Sequence, residues 1–272
     1  MPSFISGAWY SMNIKPILSG KMQIHLFEVA QQKMEDYMAS KPIYTFYCKL
    51  HEVLPETWRL IQLPQNRSVA QLAYAVMTTF EMQARHLFNV TVFKDPSNQN
   101  SWRRSADDTV YTTDVDEDRE VYGSSVADAV ATQIDSVFAP GHREAVLNYD
   151  YGDGWKVSIV LVDIMNDPEL KVRDLPRVIA GAGYGIVEDI GGTYGLYQLE
   201  DAFQNPTSGT DHDIEEKQAM REWFWLDDFD MNEFDRDEMN SRLKKIPGIY
   251  QRAYEKWKAP TAAEARLIMR EK

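Results

Sequence analysis

The sequence predicts an α+β protein: a β-β-α-β unit and a β-hairpin share one mixed or antiparallel sheet, with helices on one face and a helical C-terminal region. Three observations predict this class. Apolar side chains alternate with period two over residues 43–50 and 145–164, one helical stripe follows residue 68, and helical spacing runs through residues 211–272. The length of 272 residues, with 44% hydrophobic residues, is enough for a sizeable buried core.

The β-β-α-β unit occupies residues 43–93. A first strand spans 43–50, and a second spans 58–63 between two prolines that suit strand ends. Ser68 with Gln71 forms a capping box that begins a helix. The helix carries one apolar stripe, formed by Val69, Leu72, Ala73, Val76 and Phe80. His86 then opens a third predicted strand, over 86–93.

The middle of the chain divides into a weakly patterned part and a clear hairpin. Residues 94–143 are rich in turn formers and charge, so we expect an excursion from the sheet with a short helix over 126–137. Two β-rich runs over 145–164 flank the Gly-Asp-Gly tip at 152–154. A glycine-rich loop at 181–192 and a helix over 196–203 follow. We expect five of the large apolar residues to be buried: Trp58, Phe80, Trp155, Ile159 and Leu161.

The domain organisation predicted is an N-terminal extension (1–40), an α+β core (41–210) and a helical region packed on it (211–272). Helix starts are indicated by Asp235 with Glu238 and by Thr261 with Glu264. Charge is segregated here. Residues 200–240 carry a net −11 and residues 241–272 a net +6. This pattern suits two solvated helical segments that attract each other, or a docking surface.

Composition excludes several classes of protein. The net charge of −13 does not favour a nucleic-acid partner, except through the basic residues 241–272. The single Cys48 forbids an internal disulfide and a cysteine-rich metal site. No apolar run approaches the ~20 residues of a membrane helix, and no secretory signal is evident. We therefore expect a cytoplasmic protein with no membrane association.

Familiar motifs fail on their spacing. Asp114, Asp116 and Asp118 begin like a calcium loop, but Arg119 and Ser125 replace its glycine and bidentate carboxylate. The glycine run at 181–185 is followed by isoleucine where a dinucleotide fingerprint needs glycine. The sequence therefore predicts no organic cofactor.

A set of dispersed polar residues falls at the loop ends of the predicted sheet: His86, Asp150, Asp153, Glu188 and Asp189. If folding brings them together, the imidazole and carboxylates suit general acid–base catalysis, and the four carboxylates suit a divalent metal. Each residue also has a purely structural interpretation. Asp153 is a turn former, Glu188 and Asp189 suit a helix N-terminus, and His86 suits a hydrogen-bonded structural role.

Four ordered motifs resemble the plasmid pRiA4b ORF-3-like family. Residues 55–64 (PETWRLIQLP) are similar to its P-x-x-W-R-R-I-x-V-P, and 86–88 (HLF) to its H-L-x-x-F. Residues 149–155 (YDYGDGW) are similar to its Y-D-F-G-D-x-W, and 188–195 (EDIGGTYG) to its E-D-x-G-G-x-x-G. The resemblance spans about residues 41–245. It implies an α+β domain, common in bacteria and on mobile elements, without an established activity.

The chain departs from the family pattern after Trp155. The family has an acidic residue and a histidine there, whereas this sequence has Lys156 and Val157. If the family site needs that histidine, this copy is impaired. If the motifs form a folding framework, Val157 completes an apolar strand face, and the alternation over 155–161 favours this interpretation.

The leading functional hypothesis from sequence is a non-catalytic interaction module that binds a protein partner or itself. It rests on the lack of a complete catalytic motif and on the segregated charge. The rival hypothesis is a metal-assisted hydrolase or nuclease that uses the acidic and histidine residues at the loop end of the sheet. A third, in which residues 241–272 bind nucleic acid, predicts salt-sensitive binding.

Overall fold

Eight strands form one mixed sheet in the computed structural model, which describes residues 42–95, 107–122, 125–138, 143–224 and 228–270. The spatial order is β5-β4-β3-β6-β7-β1-β2-β8. Neighbours are antiparallel except β4 and β5, which are parallel. The strands are β1 Ile43–Leu50, β2 Trp58–Pro64, β3 Phe88–Val92, β4 Thr109–Thr112, β5 Val126–Asp128, β6 Glu144–Tyr149, β7 Trp155–Met165 and β8 Arg177–Ala182.

The helices of these described ranges follow the predicted class. They are α1 Val69–Thr79, α2 Val115–Tyr122, α3 Ile134–Val137, α4 Gly192–Gln204, α5 Asp211–Phe224, α6 Arg236–Leu243, α7 Ile246–Lys256 and α8 Ala262–Ile268. The α+β prediction is therefore confirmed, including the β-β-α-β unit and the hairpin within one sheet. The predicted extension at 1–40 lies outside the described residues.

Helix α1 is the centre of the core. Its capping box is present, with the Ser68 hydroxyl accepting from the backbone of Gln71. Every residue of α1 except Gln71 is buried, which exceeds the single stripe expected from sequence. One side meets the sheet and another meets α7, where the rings of Tyr74 and Tyr254 stack with centroids 5.9 Å apart. A helix covered on several sides loses the polar face of an amphipathic helix.

Arg59 joins strand β2, next to the edge strand β8, to helix α1 and the glycine-rich loop. Its side chain is fully buried, and its five N–H groups donate to backbone carbonyls. The acceptors are the carbonyl oxygens of Trp58, Thr79, Ala182, Gly183 and Tyr184, at 2.6–2.9 Å. The guanidinium also lies over the rings of Phe80 and Phe234, 5.0 and 4.7 Å from their centroids. The charge is thus satisfied by carbonyl dipoles and aromatic faces.

Four of the five residues expected in the core are buried, and Trp58 is not. Strand β2 turns Arg59, Ile61 and Leu63 toward the helices, so Trp58 faces the other side of the sheet. There it is half-buried, with its ring 5.8 Å from that of Tyr47. The prediction that Trp58 is a buried core residue is therefore wrong.

Several predicted boundaries differ from the structure. Strand β8 was not predicted, because its Gly and Ala residues have weak strand propensity. The helix expected over 126–137 is instead strand β5 followed by the short α3. Helix α4 begins at Gly192 rather than at Leu196. His86 lies two residues before β3, in a loop, rather than opening the strand.

Candidate metal centre

The loop between α1 and β3 carries His86 and is fastened from several sides. Glu81 and Ala84 both adopt positive φ, so the chain is irregular here. Tyr254 of α7 donates its hydroxyl to the His86 carbonyl at 2.5 Å, and the hydroxyl of Tyr149 accepts from the backbone of Arg85 at 3.2 Å. These bonds fix the backbone from which the imidazole projects.

Asp150 occupies the first turn position of the β6–β7 hairpin. Its φ of 53° lies in the left-handed region, which Asp tolerates better than most residues. Oδ1 accepts from the backbone N–H groups of Gly152 and Asp153, at 3.0 and 3.4 Å. The other oxygen, Oδ2, lies 3.5 Å from Nε2 of His86. One carboxylate oxygen thus shapes the turn while the other faces the imidazole.

Glu188 reaches the same place from the glycine-rich loop. Its Oε1 accepts from the Tyr149 hydroxyl at 2.6 Å and from the Gln83 backbone at 2.5 Å. Its Oε2 is buried and has no hydrogen-bond partner in the described part of the chain, yet lies 3.4 Å from His86 Nε2. Burial raises the pKa of this carboxyl above its ordinary value, and the bonds from Tyr149 and Gln83 oppose that rise.

His86, Asp150 and Glu188 converge, with one potential ligand atom of each lying within 4.8 Å of the others. Nε2 of His86 faces three carboxylates at once, because Oδ1 of Asp189 lies 3.1 Å away. A single imidazole nitrogen donates at most one proton, which cannot serve all of these oxygens. A bound cation or a proton held within the cluster balances this concentration of negative charge.

The spacing of these atoms fits a metal ion. Bonds of about 2.1 Å in octahedral or tetrahedral geometry place neighbouring ligand atoms roughly 3.0–3.4 Å apart. The 3.4 Å separation of Nε2 from the Glu188 oxygen lies at the upper end of that range, and the 3.5 Å separation from the Asp150 oxygen lies just above it. One imidazole with two carboxylates is a donor set suited to Zn²⁺, Mn²⁺ or Fe²⁺ more than to Ca²⁺. Tyr149 would act behind the ligands by orienting Glu188.

The two remaining candidates lie apart from this set of three. The carboxylate of Asp189 is half exposed and pairs with both His86 and Arg85, the latter at 3.4 Å. Asp153 points away, and its Oδ2 accepts from the backbone of Gly191 at 3.1 Å. Asp153 thus ties the hairpin tip to the glycine-rich loop, and the choice between a turn former and a ligand stays a prediction.

Sequence reasoning did not identify Tyr149 or the Gln83 backbone as partners of Glu188. Tyr149 shares a face of β6 with Ala145 and Leu147, so the sequence pattern is that of a core residue. Its hydroxyl reaches Glu188 only because the hairpin and the glycine-rich loop meet in three dimensions.

The fold and this cluster define an α+β protein with a histidine–carboxylate site at the end of its sheet. The chain belongs to the plasmid pRiA4b ORF-3-like protein family, whose match covers residues 42–238. The resemblance drawn from the four motifs is thereby confirmed. Where the family pattern has a histidine, Val157 is buried in the core, in agreement with the framework interpretation of that strand.

A solved structure shares the fold. It is the crystal structure of a protein of unknown function from Methanosarcina mazei Go1, with a TM-score of 0.58 and 22% identity. The alignment covers 73% of this chain and 97% of that one. No curated protein matches this chain. Within the described ranges, none of the helices is both long and apolar enough to cross a membrane.

Proposed function

We propose that this protein binds one divalent transition-metal ion through His86, Asp150 and Glu188 and uses it in a hydrolytic reaction. One observation carries the proposal: Oε2 of Glu188 is buried without a hydrogen-bond partner and faces Nε2 of His86 beside the Asp150 carboxylate. A buried carboxylate oxygen without a donor is costly, and a cation removes that cost.

The arrangement supports hydrolysis because three protein ligands leave coordination positions open. A bound ion in such a site supplies Lewis acidity and lowers the pKa of coordinated water. Asp189 stands at the rim, half exposed and within ion-pair distance of His86, where it suits proton transfer. The net charge of −13 favours substrates other than nucleic acids.

The leading hypothesis from sequence, a non-catalytic interaction module, rested on the lack of a catalytic motif. The described residues supply no contact that favours it over metal binding. It becomes the better account if metal does not bind, and the protein partner, self-association and cytoplasmic location remain predictions.

The test begins with protein stripped by a chelator and then titrated calorimetrically with Zn²⁺, Mn²⁺ and Mg²⁺. We expect one ion per chain, a higher melting temperature and preference for Zn²⁺ or Mn²⁺. Glu188→Gln and His86→Gln should each weaken binding by at least about a hundredfold. His212→Gln is the matched control, because His212 lies exposed on α5 beside Glu216. It should bind like the unchanged protein.

Two results would contradict the proposal. If none of the metals binds, or if Glu188→Gln and His86→Gln bind as tightly as the control, the three side chains form a cluster that does not hold a metal. Hydrolysis is tested separately, by offering the loaded protein p-nitrophenyl acetate and bis-p-nitrophenyl phosphate. Metal binding without turnover of either would remove the hydrolytic part alone.

A further inference from the structure

A cavity lies beside the tip of the β6–β7 hairpin, and Asp150 and polar side chains of β3 and β6 line it. Its volume is about 370 Å³, at the small end of the roughly 300–1,000 Å³ of ligand pockets. The side chains that matter for recognition are Asn89, Thr91, Asn148, Asp150, Tyr151 and Lys156. Of the three proposed metal ligands, Asp150 borders the cavity, whereas His86 and Glu188 are not among its lining residues.

The floor of this cavity is a row of hydrogen-bonded polar side chains from β3 and β6. Asn148 Nδ2 donates to Oδ1 of Asn89 at 2.8 Å and to the hydroxyl of Thr91 at 3.3 Å. Asn89 Nδ2 donates in turn to the Tyr151 hydroxyl at 2.9 Å. Asn89 and Thr91 are buried, although both are polar and lie in the middle of a strand. Buried polar side chains held in one network are pre-oriented for a ligand.

One hydrogen-bond acceptor of this network, Oδ1 of Asn148, is available to a ligand. The two amide hydrogens of Asn148 are both used, while its Oδ1 accepts no hydrogen bond from any residue that the structure describes. The residue lines the cavity and is only half-buried, so a ligand or water can reach that oxygen. A ligand that donates a hydrogen bond here completes the row.

The charges and rings at the rim select the class of ligand. Lys156 and Asp150 bring one charge of each sign, and Lys156 already has a partner, so neither an anion nor a cation is favoured. Tyr151 leaves nearly half its surface exposed, 48%, and Phe93 adds a second ring. Ring faces pack against the C–H face of a sugar, and neighbouring hydroxyls satisfy donors and acceptors together.

We infer that this cavity binds a neutral saccharide unit, with a sugar hydroxyl donating to Oδ1 of Asn148 and the ring packing on Tyr151. This goes beyond the proposed metal chemistry and does not depend on it. Because Asp150 borders both places, the bound sugar lies next to the metal-ligand cluster.

The experiment is saturation-transfer NMR on the full chain in excess chelator. The probes are methyl glucoside, methyl N-acetylglucosaminide, adenosine and inorganic phosphate. We expect transfer to at least one saccharide and none to adenosine or phosphate. Binding only of adenosine or phosphate, or of no probe, would overturn the inference.

Variants locate the binding. Asn148→Leu keeps a similar size but removes the acceptor oxygen from the floor, and Tyr151→Ala removes the exposed ring; each should weaken saccharide affinity about tenfold. Tyr151→Ala decides the matter if Asn148→Leu fails to fold. His212→Gln, exposed on α5, is the control and should bind the saccharide unchanged. Saccharide affinity that survives Tyr151→Ala would place the sugar elsewhere and contradict the assignment.

Discussion

The backbone N–H of Gly191 donates to Oδ2 of Asp153 at 3.1 Å, which ties the glycine-rich loop to the tip of the β6–β7 hairpin. Beside this bond, Gly192 approaches so closely that a Cβ there would lie 2.9 Å from the Asp153 carbonyl oxygen. The bond holds the segment that carries Glu188 against the segment that carries Asp150. Asp153 therefore affects the candidate metal centre without contacting it.

The first prediction compares Gly192→Ala with Gly191→Ala. Both glycines have positive φ, 73° and 85°, so both changes should cost about 1–2 kcal/mol of unfolding free energy. Only Gly192→Ala also pushes the tip away from the loop, since a Cβ at Gly191 meets open space. Urea denaturation should show the larger loss for Gly192→Ala, and metal titration should show weakened affinity for that variant alone. Equal metal affinities of the two variants would contradict the coupling between the hairpin tip and the candidate metal centre.

Asp150→Asn separates the role of Asp150 in the hairpin turn from its proposed role as a metal ligand. Asn accepts the same turn hydrogen bonds through its carbonyl oxygen and tolerates the left-handed backbone, so stability should change by less than about 1 kcal/mol. The lost charge should abolish tight metal binding. Asp150→Ala, which loses the turn bonds as well, should lose both stability and metal. If Asp150→Asn keeps full metal affinity, Asp150 is a framework residue only.

Tyr149→Phe tests the partner behind the metal ligands. It removes the hydroxyl that donates to Oε1 of Glu188 and accepts from the Arg85 backbone, while the ring stays. Glu188 should then swing more freely, and metal affinity should fall by about 10–100-fold. Isothermal titration measures this directly. Tyr111→Phe serves as the control, because Tyr111 lies on β4, a strand that contributes none of the three ligands.

Arg59→Lys should be strongly destabilising. Lysine has three donors on one nitrogen and cannot serve five carbonyls arranged around a planar guanidinium. Unpaired buried carbonyls and a poorly placed charge should cost about 3–5 kcal/mol. Thermal and urea denaturation provide the measurement. Arg67→Lys, outside the core, should change stability by less than about 0.5 kcal/mol.

Cys48 should be inert in the folded protein. The side chain is fully buried in β1, and burial raises the pKa of its thiol far above the ordinary value. Iodoacetamide should therefore label it only after denaturation, at neutral and at mildly alkaline pH. Labelling at a rate independent of denaturant would show that β1 opens in the native state.

The sequence predicted the fold well where local rules decide the structure. Period-two alternation identified β1 and the hairpin, the bounding prolines marked β2, and the two capping boxes marked α1 and α8 correctly. The prediction failed for elements whose formation depends on tertiary contacts. Half of the residues of β8 are Ala or Gly, and the strand forms because it pairs with β2, which no local pattern reveals.

The candidate metal centre was predictable as a set of residues but not as an arrangement. His86, Asp150, Glu188 and Asp189 stand in segments far apart in sequence, and the same reasoning included Asp153, which points the other way. The partners of Glu188 explain why. Its two oxygens differ only because Tyr149 and Gln83 satisfy one of them, and both contacts depend on folded geometry.

The bond from Tyr254 to the His86 carbonyl comes from a helix beyond residue 238, where the family match ends. The segment that braces the histidine thus lies outside the residues that the family match covers. A relative that lacks such a helix needs another contact to hold the loop that carries the histidine. The shared motifs alone therefore do not ensure an equally rigid imidazole. Exchanging C-terminal segments between relatives should consequently change how firmly His86 is held, although none of the side chains of the candidate metal centre is replaced.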